Sequence, residues 1–266
     1  MSVLSVRALS KAFGGVHAVN EVSFDVAPAE FLAMIGPNGA GKSTCFNMIN
    51  GQLTPDSGEV LLAGRNIAGL APRAIWRLGV GRTFQVAATF ASMTVVENVQ
   101  MALISHAGET TRLWRPAADL HRERALDLLE QVGMAAAADR PSRELAYGDV
   151  KRVELAIALA NDPRLLLMDE PTAGMAAGER HGLIALVKRL VTERGISVLF
   201  TEHSMDVVFA FADRIIVLAR GRVIADGDAE SIRDNAQVRE VYFGTGKTFA
   251  PNPASQHGSA SQGAAS

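Results

Sequence analysis

The stretch that most restricts what this chain can become is Gly36-Pro37-Asn38-Gly39-Ala40-Gly41-Lys42-Ser43-Thr44. An apolar run, Phe31 to Ile35, precedes it, and a helical pattern from Lys42 to Gly51 follows. Gly36, Gly41, Lys42 and Ser43 meet the spacing G-x-x-x-x-G-K-[ST], in the strand-then-helix context that a phosphate-binding P-loop requires. The glycines let the backbone curl so that successive N–H groups face phosphate oxygens, and the helix N-terminus adds partial positive charge. Lys42 is placed to reach β- and γ-phosphates, and Ser43 to ligate Mg²⁺. Residues 36 to 44 are therefore the expected nucleotide-binding loop.

The rest of the chain reads as the frame for that loop. The apolar runs 31–35, 165–168 and 197–200 lack alternation, as strands buried on both faces of a parallel sheet do. Helical patterns at 42–51 and 178–194 separate them, which predicts an α/β core of P-loop type. Residues 3–9, 22–26 and 58–63 predict a small, largely antiparallel sheet over the start of the domain. Residues 86–160 read as helices apart from a loop at 89–93: Val95 to Ile104, Asp119 to Val132 and Val150 to Ala160, with a polar connector from Ser105 to Pro116. This is the pattern of a helical insertion between two core strands. A domain over 1–243 is expected, followed by a Gly-, Ser- and Ala-rich tail at 244–266 that reads as disordered.

Bulk properties narrow the partners. Net charge is −2 over 266 residues, so no basic field argues for nucleic acid. The single cysteine, Cys45, rules out an internal disulfide and suits a reducing compartment. No basic-then-apolar leader is visible at the start, and no apolar run approaches the roughly 18 residues that a membrane span needs. If the chain works at a membrane, another polypeptide supplies the spans.

Further candidate residues sit where α/β sites assemble. Leu165 to Met168 lead into Asp169 and Glu170. A carboxylate at the tip of a strand next to a P-loop can hold Mg²⁺, and the next acid can reach an attacking water. Gln85 ends the apparent strand from Gly79 to Phe84 and could touch the metal or the water. His203 follows the strand at Val198 to Phe200. Leu145-Ala146-Tyr147-Gly148-Asp149 precedes a patterned helix whose first N–H groups could meet phosphate. Phe13, on an N-terminal loop, could stack on a purine ring or simply pack in the core.

In this order the motifs resemble the nucleotide-binding subunits of ABC transporters, over about residues 3 to 243. The resemblance implies an α/β P-loop NTPase (RecA-like) fold and an ATPase coupled to transport, with ATP and Mg²⁺ bound. It makes Phe13 the adenine-stacking aromatic, Asp169 and Glu170 the Walker B pair and His203 the switch histidine. Gln85 becomes the Q-loop residue, and Ala146, Tyr147, Gly148 and Asp149 belong to the signature. It also implies a head-to-tail dimer in which one subunit's P-loop and the other's signature sandwich ATP. The implied partners are a second ATP-binding subunit, transmembrane permease subunits and, indirectly, a periplasmic or extracellular binding protein. The place of work would be the cytoplasmic face of the plasma membrane.

The signature departs from the usual L-S-G-G-Q: Ala146 lacks the hydroxyl, and only one of the two glycines remains. Ala176 stands where the family usually has an acid. These changes leave open a slow composite site or a subunit that only binds. Gly81-Arg82-Thr83-Phe84-Gln85, Met93 to Val99, Ala173-Gly174-Met175 and Ile232 to Gly244 are similar to the ATP-binding subunits of branched-chain amino acid importers, whose relatives import urea, amides or aromatic acids. The alternatives are a lipopolysaccharide-export type ATPase and a soluble ABC ATPase acting on DNA or ribosomes.

Overall fold

The computed structural model describes residues 2–83, 89–109 and 120–243. Gln85, part of the polar connector and the tail from 244 lie outside the described residues.

The core is a six-stranded sheet in the order β10-β9-β3-β8-β7-β6. Its strands are β3 (Phe31–Ile35), β6 (Val80–Thr83), β7 (Leu165–Asp169), β8 (Ser197–Thr201), β9 (Arg214–Ala219) and β10 (Arg222–Gly227). All neighbours pair parallel except β9 and β10, which form a hairpin. The absence of alternation in β3 has a direct cause. Phe31, Ala33 and Ile35 face one apolar cluster and Leu32 and Met34 face another, and all five are fully buried. Both faces are covered, so every position must be apolar.

One face carries a four-stranded antiparallel sheet in the order β2-β1-β4-β5, made of β1 (Leu4–Phe13), β2 (Val16–Val26), β4 (Ser57–Leu62) and β5 (Arg65–Asn66). Helices α1 (Lys42–Ile49) and α2 (Pro72–Arg77) contribute to the same cluster. The β1–β2 hairpin is longer than the sequence pattern suggests. The strands continue to the Gly14-Gly15 turn, where both residues have positive φ, as a two-residue type I′ turn requires. Register shifts along β1, with Ala8 and Glu21 at positive φ, break the alternation that would have marked these strands. Phe13 thus ends a strand instead of lying on a loop.

The other face is covered by helices. Three of them, α3 (Val95–Ala107), α4 (Arg122–Gln131) and α5 (Tyr147–Ala158), fall in the chain between β6 and β7, which are sheet neighbours. Helix α6 (Ala177–Arg194), α7 (Met205–Phe211), α8 (Ala229–Asp234) and α9 (Ala236–Phe243) complete the layer. Helix α5 starts three residues before the expected Val150, so Tyr147, Gly148 and Asp149 form its first turn and Ala146 is its N-cap.

Candidate functional site

The site is built at the carboxyl ends of β3, β7 and β8, where three loops leave parallel strands side by side. The first is the glycine-rich loop. Gly36 has φ 158°, and a Cβ there would sit 2.3 Å from the Leu218 carbonyl oxygen of β9. Gly41 has φ 103°, and a Cβ there would meet the Ala18 carbonyl oxygen of β2 at the same distance. Both neighbours are backbone, so neither can yield cheaply. Between them the Ala40 carbonyl accepts from the Gly221 N–H of the β9–β10 turn at 3.0 Å. The loop is therefore wedged on three sides by backbone.

Lys42 opens α1 and is buried. Its Nζ donates to the carbonyls of Gly36 at 2.7 Å and Pro37 at 3.2 Å. Burial pushes the Lys42 ammonium down from its usual pKa, while Glu170 and Asp169 pull it back up. The second residue of the helix, Ser43, is exposed. Just beyond it, Cys45 is fully buried and its thiol is pushed up to about 12, which makes it a packing residue.

Asp169 ends β7. Its Oδ1 accepts from the Thr201 hydroxyl at 2.7 Å, and its Oδ2 lies 3.7 Å from Arg82 Nη2. Arg82 also donates to Asn47 of α1 at 3.1 and 3.2 Å and to Gln52 at 3.0 Å. Glu170 follows with φ 48°, a left-handed conformation that costs a non-glycine residue roughly 1–2 kcal/mol. Its N–H is held by the Thr201 hydroxyl at 3.0 Å and the Thr201 carbonyl at 3.2 Å. The turn brings Glu170 Oε1 to 2.7 Å from His203 Nε2. A carboxylate and an imidazole thus meet above the sheet, and the carboxylate is close enough to Lys42 to act on its charge.

Oxygen donors are what a hard divalent cation takes. The Ser43 hydroxyl and the Asp169 carboxylate fit Mg²⁺, which keeps few protein ligands and completes its shell with phosphate and water.

Two expected contributors lie on other elements. The Phe13 ring is 49 % exposed at the hairpin tip, so it is not a core residue, and Lys11 Nζ stands 5.9 Å from the ring centroid. The signature stretch packs on the loop that leaves β7: the Tyr147 hydroxyl donates to the Ala173 carbonyl at 3.1 Å, and its ring lies against Gly174. Among the described residues, no hydrogen bond or ion pair connects 145–149 with 36–44. Within one chain, then, the two stretches are not joined by such contacts.

Sequence reasoning passed over Thr201 and Glu202, and gave Thr172 and Arg82 no place in the site. The available signal was position: Thr201 ends β8 and Glu202 follows it, directly before His203, where polar residues past strand ends gather into sites.

A wedged glycine loop, an Asp-Glu pair at a strand end and a histidine just past the adjoining strand define a P-loop ATPase of the cassette type. The chain belongs to the ABC transporter family. The family described as ABC transporter matches residues 19–173. A second, described as branched-chain amino acid ATP-binding cassette transporter, matches residues 222–248. The high-affinity branched-chain amino acid transport ATP-binding protein BraF of Pseudomonas aeruginosa is 39 % identical, over 91 % of this chain and 98 % of its own length. LivG of Escherichia coli, described in the same terms, is 38 % identical over the same shares. Among solved structures, an ATP-binding cassette of an ABC transporter in its ADP conformation superposes with a TM-score of 0.83 at 32 % identity, covering 92 % of this chain and 99 % of that one. A dimeric cassette in a post-hydrolysis state, bound to ADP and phosphate, gives 0.72 at 28 % identity, covering 85 % and 98 %.

Proposed function

We propose that this ABC ATPase energises a membrane importer of branched-chain amino acids or closely related small substrates. The meeting of Glu170 and His203 beside a wedged P-loop carries the catalytic part of this reading. The relatives named for branched-chain amino acid transport, together with the match at 222–248, carry the substrate part and favour it over lipopolysaccharide export or a soluble role on DNA or ribosomes.

The residues take these roles. The loop from Gly36 to Thr44 presents its N–H groups to the phosphates, with Pro37, Asn38, Gly39 and Ala40 forming its outer curve. Lys42 exchanges its two loop carbonyls for β- and γ-phosphate oxygens. Glu170 accepts the proton of an attacking water, and His203, bonded to it, orients that carboxylate and faces the γ-phosphate. Ser43 and Asp169, with Gln85, would hold Mg²⁺, which when bound neutralises charge on the β- and γ-phosphates. Phe13 stacks on the adenine.

The signature residues Ala146, Tyr147, Gly148 and Asp149 serve a second ATP-binding subunit, as the family's head-to-tail dimer would have them do. The partners are that subunit, permease subunits at the cytoplasmic face of the membrane and, through the permease, a binding protein. Phe90, an exposed aromatic, and Met93 at the head of the α3 region are the candidates for permease contact.

The test is Glu170→Gln. It should bind ATP as the parent does and lose turnover by at least about a hundredfold, the lower end of a general-base contribution. Parental turnover in that variant would refute Glu170 as the base.

A further inference from the structure

Glu202 has no part in the reading above, yet it is among the most enclosed charged side chains of the molecule, only 3 % exposed. Its Oε1 accepts from the Thr172 N–H at 3.0 Å and from the Thr172 hydroxyl at 2.6 Å. Its Oε2 accepts from the His203 N–H at 3.1 Å and, more weakly, from the Ser204 N–H at 3.5 Å. Thr172 is itself 2 % exposed and lies two residues past Glu170. One carboxylate therefore ties the loop leaving β7 to the loop leaving β8. Those are the loops that bring Glu170 and His203 to 2.7 Å.

We infer that Glu202 is a positioning residue, a buried brace that sets the distance between Glu170 and His203 and so holds the hydrolytic pair ready. The inference rests on the catalytic roles proposed for those two residues. Chemistry explains why the brace is a carboxylate. All four groups that face it donate to it, three of them backbone N–H groups that can do nothing else, and a carboxylate offers acceptors on both oxygens. A glutamine of the same shape offers one oxygen and one NH₂. Turned one way, its NH₂ faces the His203 and Ser204 N–H groups; turned the other, it leaves the Thr172 N–H without an acceptor and only the Thr172 hydroxyl, which can also accept, keeps a bond, so either orientation weakens one arm of the brace. The P-loop backbone, wedged by Leu218, Ala18 and Gly221, does not use Glu202 and should not feel the change.

The experiment is steady-state ATPase activity and ATP binding for E202Q, T172V, H203A and the E202Q/H203A double variant, each checked by thermal melting. E202Q should lower kcat about tenfold or more while leaving the ATP Kd within about twofold. T172V, which removes one donor and keeps the shape, should fall in the same direction by less. In the H203A background, E202Q should cost little more, because it acts through the same pair. Parental kcat in E202Q, a Kd that rises in step with the loss of kcat, or fully additive losses would overturn the brace. Should E202Q fail to fold, folded T172V with parental kcat would overturn it instead. Parental turnover lost in H203A but kept in E202Q refutes the brace alone. A parent that binds ATP without turning over refutes the catalytic reading and the brace together.

Discussion

Glycine at 41 is set by a single contact. A methyl group there would sit 2.3 Å from the Ala18 carbonyl oxygen, in a backbone conformation, φ 103°, that side chains rarely adopt. Gly41→Ala must therefore shift either β2 or the loop. It should weaken ATP binding by at least about tenfold and lower stability by roughly 1–3 kcal/mol, read by nucleotide titration and by denaturant unfolding. ATP affinity equal to the parent's would mean that the loop has room the geometry denies. The close contact separates Gly36 and Gly41 from Gly39, where an added Cβ meets nothing within 4 Å and only the backbone conformation, φ 78°, favours glycine. Glu170 shows the opposite economy: a residue with a side chain held at positive φ, its N–H fixed by Thr201, so that its carboxylate turns toward His203.

Helix ends show how two elements of one layer can differ. Helix α3 begins with a complete capping box: the Thr94 hydroxyl accepts from the Glu97 N–H, and the Glu97 carboxylate accepts from the Thr94 N–H. It ends at Gly108 in the left-handed conformation. Helix α5 begins at Ala146, which has no side chain to cap with. Ala146→Ser should therefore do two separable things. It should stabilise the fold by about 1 kcal/mol, or about 2–4 °C in Tm. It should also raise turnover several-fold if the restored hydroxyl reaches phosphate in the partnered state, about what one hydrogen bond to a charged group is worth. A rise in Tm without a rise in turnover would confine the residue to capping.

The same contrast explains what could be read from the sequence. Helix α3 is legible in the sequence as a helical pattern over Val95 to Ile104, whereas the start of α5 lies three residues before the expected Val150, because its cap carries no signal. The parallel strands were legible because burial on both faces leaves unbroken apolar runs. The long β1–β2 hairpin was not, since its bulges at Ala8 and Glu21 scramble the alternation. In the candidate site, Asp169, Glu170 and His203 stood out through their place after apolar strands. Thr201 and Glu202 stand equally close, but polar residues beside a motif carry no mark of what they bond.

At the scale of the whole molecule, the sheet divides two tasks. One face and the strand ends hold the nucleotide loop against the antiparallel sheet. The other face holds the helical layer, including α3 to α5. No helix among the described residues is long and apolar enough to cross a membrane. The measurement that tests the proposed function most directly is uptake of a labelled branched-chain amino acid into vesicles holding the permease, its binding protein and this chain, with ATP supplied on the side of the ATPase. The account predicts ATP-dependent accumulation with the parent and none with E170Q. Accumulation that persists with E170Q, or hydrolysis by the parent that neither responds to the permease nor drives accumulation, would contradict it.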